Sequence, residues 1–167
     1  MTDKEIRSLI ETSLAEKIAK NEEFRAKAVA QFKACRVKKT YYAILVGILA
    51  EDLDIDLPLS TIKTKSGAFS KIDLKNGKTA ITHARPLLCE GKKTLAKIEI
   101  ETGRTHQIRV HLAHAGYGVY GDSKYAKSTA KRVFLHSYET EILGLKFRAA
   151  LTKDFGTIFE LPSELTH

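Results

Sequence analysis

The stretch TLAKIEIETGRTHQIRVHLAHAG, residues 94–116, decides the fold. Its first half alternates. Ala96, Ile98 and Ile100 fall on one side, and Lys97, Glu99 and Glu101 on the other, the period of a half-buried strand. From Thr105 to Ala115 the period changes, with Ile108 and Leu112 one helical turn apart. Between the two lies a junction that packs Arg104, Thr105, His106, Gln107 and Arg109 into a short run. A strand feeding a helix through such a junction offers free backbone amides beside two guanidinium groups, an arrangement suited to a phosphate or a carboxylate.

Working outward, a second strand is expected over Thr79–Leu88, joined to the first across Cys89–Lys93. Further upstream TYYAILVGIL, residues 40–49, is rich in aromatic and branched residues and reads as a buried strand. Before it the chain reads as helical. Thr2 and Glu5 have the spacing of a capping box, Ile6, Ile10, Leu14 and Ile18 form an apolar stripe, and Phe24, Ala28 and Phe32 predict a second helix ending near Cys35. Residues 56–76 are polar, with Pro58, Gly67 and a turn at Lys75–Gly77, and are expected to be irregular. Val133–Glu139 and Leu143–Ala149 are the last strand candidates. Neighbouring strands joined by short connections outnumber strand–helix–strand units. The expected architecture is therefore α+β, a mixed, mainly antiparallel sheet with flanking helices. Residues 1–35 form a helical segment and residues 36–167 the main domain, with no separate second domain.

The chain has 167 residues and 43% apolar content, enough for one domain with a real core. Lys and Arg number 28 against 20 Asp and Glu, a net charge of +8. The charge is zoned. Residues 24–50 carry bases and no acids, residues 51–59 carry acids and no bases, and Ser60–Arg132 holds fifteen bases against five acids. A polyanion favours such zoning, because each neutralised phosphate releases counterions. Two cysteines exclude a disulfide framework, the longest apolar run (Tyr41–Ala50) is too short for a membrane helix, and the charged start lacks a secretory pattern. These readings predict a soluble, cytoplasmic protein that binds no membrane.

Three other patterns carry less. Gly116, Gly118 and Gly121 have dinucleotide-binding spacing but follow a helix instead of opening one, so no dinucleotide is expected and the glycines serve a tight turn. His106, His111 and His114 lie close together, yet their spacings do not converge on one helical face and no cysteine is near, so no metal is expected. Cys35 and Cys89 sit in apolar sequence and read as core residues.

The run ETGRTHQIRVHLAHAGYGVYGDSKYA, residues 101–126, resembles the signature of the RluA-type RNA pseudouridine synthases, TGRxHQIRVH followed by a glycine turn and GDxxYG. Three further stretches agree in order. KKTYYAILVG (38–47) is similar to the family's KxYxAxVxG strand, NGKTAITH (76–83) to its GKPAxT, and RVFLHS (132–137) to its RLLLHA. Gly118 stands where the family usually has Pro, and Ala126 where it often has Gly. The resemblance implies isomerisation of uridine to pseudouridine in rRNA or tRNA, without cofactor or metal. Tyr41 matches the tyrosine that packs on the target base, Arg109 the arginine that pairs with the catalytic aspartate, and Leu135 an apolar wall of the base pocket. Arg104, Thr105, His106 and Gln107 are the expected RNA contacts. Flipping the base out of its stack costs a few kcal/mol, which an aromatic face and a positive groove recover.

The family carries its aspartate in HRLDxxTSG. Aligned on Ala19-Lys20-Asn21, Thr12-Ser13 fall on the family's TS and Arg7 on its Arg, which puts Leu9 on the aspartate. Leucine cannot act as that acid. Asp3 lies too early, and Asp122 reads as a cap of its own turn. The catalytic domain is expected to be N-terminally incomplete and impaired. Its sheet should have an exposed edge, a route to a homo-oligomer. The competing reading is a non-catalytic RNA-binding protein descended from such a synthase.

Overall fold

The computed structural model describes residues 22–65 and 67–166. The capping box at Thr2–Glu5, the stripe from Ile6 to Ile18 and Leu9 lie outside the described residues. Helix α1 (Glu22–Lys33) leads into strand β1 (Lys38–Val46), then β2 (Leu53–Asp56), β3 (Leu59–Thr64), β4 (Gly67–Ile72), β5 (Ile81–Glu90) and β6 (Lys93–Ile100). Helix α2 (Gln107–His114) follows, then β7 (Leu135–Ile142), β8 (Leu145–Arg148) and two short 3-10 turns, Phe155–Thr157 and Ser163–Leu165. Six strands form one sheet in the order β2-β5-β6-β1-β7-β8, and every paired neighbour is antiparallel. This is the α+β, mainly antiparallel architecture that the sequence predicts. No helix among the described residues is long and apolar enough to cross a membrane.

β1 is central, paired with β6 on one side and β7 on the other. Alternate side chains of a strand point to opposite faces. Ala43 and Leu45 therefore enter one core layer with Ala84, Ala96, Ile98 and, from α2, Ile108 and Leu112. Tyr42 and Ile44 enter a second layer with Leu95, Phe134, Leu151, Phe155, Phe159 and Leu165. Two covered faces explain why YYAILV is continuously apolar. The first layer is roofed by α2 and the second by the chain after Leu151.

Two sequence expectations are corrected. Residues 56–76 are not irregular, since β3 and β4 form a two-stranded hairpin outside the main sheet. Most of its side chains are exposed on both faces, so no polar–apolar alternation marks it. Cys35 and Cys89 are both exposed, not core residues. Cys35 follows α1 with a φ of 55°, and Cys89 pairs with Thr94 beside the turn that joins β5 to β6. The helix expected from Phe24, Ala28 and Phe32 is present as α1 and ends two residues before Cys35; it buries only Ala28, against Val37 and Ile142, and Phe32 is 45% exposed. The described sheet ends on β2 and β8, each four residues long, which limits the ladder an edge can offer.

Candidate RNA-binding and catalytic site

The junction between β6 and α2 is built around a buried amide. Gln107, 2% exposed, accepts through Oε1 from Thr102 Oγ1 (2.7 Å) and from the backbone N–H of Arg104 (3.0 Å). Its Nε2 donates to the Ile81 carbonyl (2.8 Å) and to Thr82 Oγ1 (3.1 Å). Gln107 was expected to touch RNA, and its amide is instead committed to bracing the junction against β5. His111, fully buried one turn later, extends this brace. Its Nε2 donates to the Leu57 carbonyl (2.8 Å), so Nδ1 accepts from Thr82 Oγ1 (2.9 Å) and the ring is neutral. Burial, the largest cause, holds the His111 pKa below the ordinary histidine value.

Arg104 turns its Nε to the Thr79 carbonyl at 3.0 Å. Arg109, from the first turn of α2, makes a two-pronged pair with Asp122. Nε reaches Oδ2 and Nη2 reaches Oδ1, both at 2.8 Å. Asp122 is wholly buried and Arg109 14% exposed. Asp122 Oδ1 also accepts from the backbone N–H of Lys124 (3.0 Å) and Tyr125 (3.2 Å). Burial pushes the Asp122 carboxyl up, but Arg109 and the two amides outweigh it, and the pKa ends below the ordinary value. Asp122 therefore caps its turn, as its sequence predicts, and also fixes the guanidinium plane of Arg109. Both guanidinium groups of the expected anion clamp are thus tied to acceptors within the protein.

Thr105 and His106 are half-buried at the entrance to α2. His106 has a φ of 54°, a left-handed conformation uncommon for a residue with a Cβ, and its Nδ1 lies 2.8 Å from the Tyr125 hydroxyl. On the same face of the sheet Leu135 is buried and Tyr41 half-buried, both packed on the cluster to which α2 contributes Ile108 and Leu112. Tyr41 sits at an irregularity in the β1–β7 register, between Thr40 and Tyr41, and pairs with Ser137. Bulges re-aim side chains, and this one lies where the base platform is expected.

The glycine turn serves packing. A Cβ on Gly118 would lie 2.2 Å from that of Ala126, and one on Gly121 (φ 81°) 1.8 Å from the Arg132 carbonyl oxygen. This turn ends α2 and bridges Val119 to Leu45. Among the described residues no group of three or more His, Cys, Asp or Glu is placed to hold a metal ion. Sequence reasoning missed Tyr125 and the pairing of Asp122 with Arg109. The one available signal was that Asp122 and Tyr125 lie three residues apart, the spacing of a capped turn.

Comparison with known proteins places this geometry. The sequence profile of the RNA pseudouridylate synthase family matches residues 17–114. An uncharacterized RNA pseudouridine synthase of Helicobacter pylori is 47% identical over 140 residues, covering 83% of this chain and 57% of that protein. Ribosomal large subunit pseudouridine synthase D of Pseudomonas aeruginosa is 38% identical over 108 residues, covering 65% of this chain and 33% of its own length. The chain thus spans little more than half of the curated relative from Helicobacter pylori. Among solved structures, human RNA Pseudouridylate Synthase Domain Containing 1 superposes with a TM-score of 0.68 at 24% identity, over 84% of this chain and 64% of that one, a likeness of fold. A matched profile over more than half the sequence, with the same fold beneath it, makes this chain a member of the RNA pseudouridylate synthase family.

Proposed function

We propose that this chain takes part in the isomerisation of uridine to pseudouridine in a structured RNA, rRNA or tRNA, with no cofactor. The carrying observation is a shared face. Tyr41 and Leu135 pack on the same cluster as the helix that holds Arg109. An aromatic platform, an apolar wall and a fixed guanidinium suit a flipped pyrimidine base. Arg104, Thr105 and His106 line the approach, and Gln107 holds that approach in shape. Residues 36–167 act as the catalytic domain. Around it, Lys63, Lys65 and Lys71 of the hairpin and Lys124, Lys127 and Lys131 supply the positive surface that a phosphate backbone needs.

Asp122 is not the nucleophile. It is buried and its carboxylate already receives four hydrogen bonds. With leucine at position 9 on the aspartate register, turnover by this chain is impaired while RNA binding persists. Incubation with an unmodified tRNA or rRNA transcript, followed by mass-spectrometric assay for pseudouridine, tests the reading. The expected result is salt-dependent binding with little or no product. Robust turnover would overturn the impairment, and binding indifferent to Arg104→Ala and Arg109→Ala would overturn the site.

A further inference from the structure

Tyr125 has no task in the reading above, yet three elements meet at its side chain. Its hydroxyl oxygen accepts from the backbone N–H of Ser70 on β4 at 3.0 Å and lies 2.8 Å from Nδ1 of His106. The hydroxyl can donate to Nδ1 or accept from it, and in either case one hydroxyl joins the amide of β4 to the imidazole at the start of α2. The ring stacks on Phe69 of β4 at 5.3 Å and 29°, and the Arg109 guanidinium lies over it at 5.0 Å. Lys124, the preceding residue, donates to the Ala68 carbonyl of β4, with its ammonium 5.8 Å from the centroids of both rings. Burial raises the Tyr125 pKa, so the donor hydrogen stays in place at neutral pH.

A two-stranded hairpin is marginal on its own and depends on what it packs against. This hairpin rests on the body of the protein through Leu59 and Ile72, which join Ala80, Val110 and Tyr125 in a small cluster. His106 likewise holds an unfavourable backbone conformation that its surroundings must maintain. We propose that Tyr125 is a positioning residue that fastens the β3–β4 hairpin beside the junction and sets the imidazole of His106 toward RNA. The proposal rests on the RNA reading of that site for its purpose, and on the geometry alone for the fastening. Where the hairpin docks decides where Lys63, Lys65 and Lys71 stand relative to Arg104 and Arg109.

Tyr125→Phe keeps the ring, its stack and its contact with Arg109, and removes only the hydroxyl. Hydrogen exchange at the Ser70 amide should accelerate about tenfold. The ¹⁵N signature of the His106 imidazole should change, because Nδ1 loses its partner. Affinity for a tRNA transcript should fall roughly three- to tenfold. Replacing Lys63 and Lys71 by Gln should lower the salt dependence of binding in the wild type and cost less in the Tyr125→Phe background, a non-additivity expected of one coupled unit. Unchanged Ser70 exchange and an unchanged His106 signature would overturn the fastening. Should the variant not fold, exchange in the wild type decides: a Ser70 amide that exchanges as fast as the solvent-facing amides of the hairpin would overturn the fastening. If exchange and the His106 signature respond while RNA binding ignores the hairpin lysines, the fastening stands and the RNA reading fails.

Discussion

Two Arg–Asp pairs of similar chemistry stand on opposite sides of the sheet. Arg109 and Asp122 join α2 to the turn after it, and Arg132 and Asp154 join the start of the β7 segment to the chain that roofs the second core layer. Both are two-pronged, and both guanidinium groups lie over aromatic rings, Arg109 over Tyr125 and Arg132 over Phe134 and Phe155. The surroundings differ. Phe155 is fully buried within the second layer, and Arg132 with Thr152 and Asp154 staples that layer shut. Tyr125 sits instead between the hairpin and the junction. The same pair closes a core on one side and, in the proposed site, aims a cation on the other.

Removing Arg109 should have the largest effect. Arg109→Ala strands a buried carboxylate, a loss of about 3–5 kcal/mol in urea unfolding, and should abolish RNA binding by the fraction that remains folded. Asp122→Asn, which keeps the size and one acceptor, should restore part of the stability. Arg132→Ala should cost less, about 1–3 kcal/mol, because both partners are partly exposed to solvent. RNA affinity should then stay within about twofold, the scatter expected of a residue remote from the contact. Equal losses of RNA affinity in the two variants would break the comparison.

Acidification sharpens it further. Burial depresses the pKa of His111, beneath the site, and of His136, which donates from Nε2 to the Ala149 carbonyl beneath the roof. A histidine depressed in the folded state is protonated more readily when unfolded. Stability therefore falls as pH drops through the unfolded value near 6.5, because the unfolded chain takes up protons that the buried rings resist. Denaturation at pH 7 and pH 5 should show the fall, and His136→Gln should make it smaller. His83 runs the other way, its pKa raised by hydrogen bonds to Asp54 and Glu101. Its stabilisation is present at low pH and lost as pH rises through its folded value, and it is small because the bridged carboxylates are exposed. Arg104→Ala should be the mildest change, within about 1 kcal/mol for one hydrogen bond to a carbonyl, with a few-fold loss of RNA affinity.

The strands were legible where one face or both are buried. β6 shows its alternation and lies within one residue of its expected limits, and β1 shows its continuous apolar run, ending three residues earlier than expected at Val46. The β3–β4 hairpin was not legible, because its stability comes from Tyr125 and Val110, residues far along the chain, and not from its own pattern. Arg109 was read from its motif, but its partner Asp122 was read only as a cap. Nothing in a linear pattern reveals that a capping carboxylate has two further lone pairs aimed at a guanidinium thirteen residues earlier. Gln107 shows the converse case. A polar residue in a basic motif reads as a ligand contact, and only three-dimensional placement shows its amide spent on Thr102, Ile81 and Thr82.

The central position of β1 also bears on synthesis. Both of its pairing partners, β6 and β7, come later in the chain. At about 5–20 residues per second a ribosome takes roughly 2–10 s to pass from Val46 to Lys93. Throughout that interval YYAILV has no ladder to join, and its apolar side chains face water or whatever chaperone meets the nascent chain. The strand that anchors both core layers is thus the segment most exposed to misassociation during translation, and slowing decoding between β1 and β6 should lower the soluble yield.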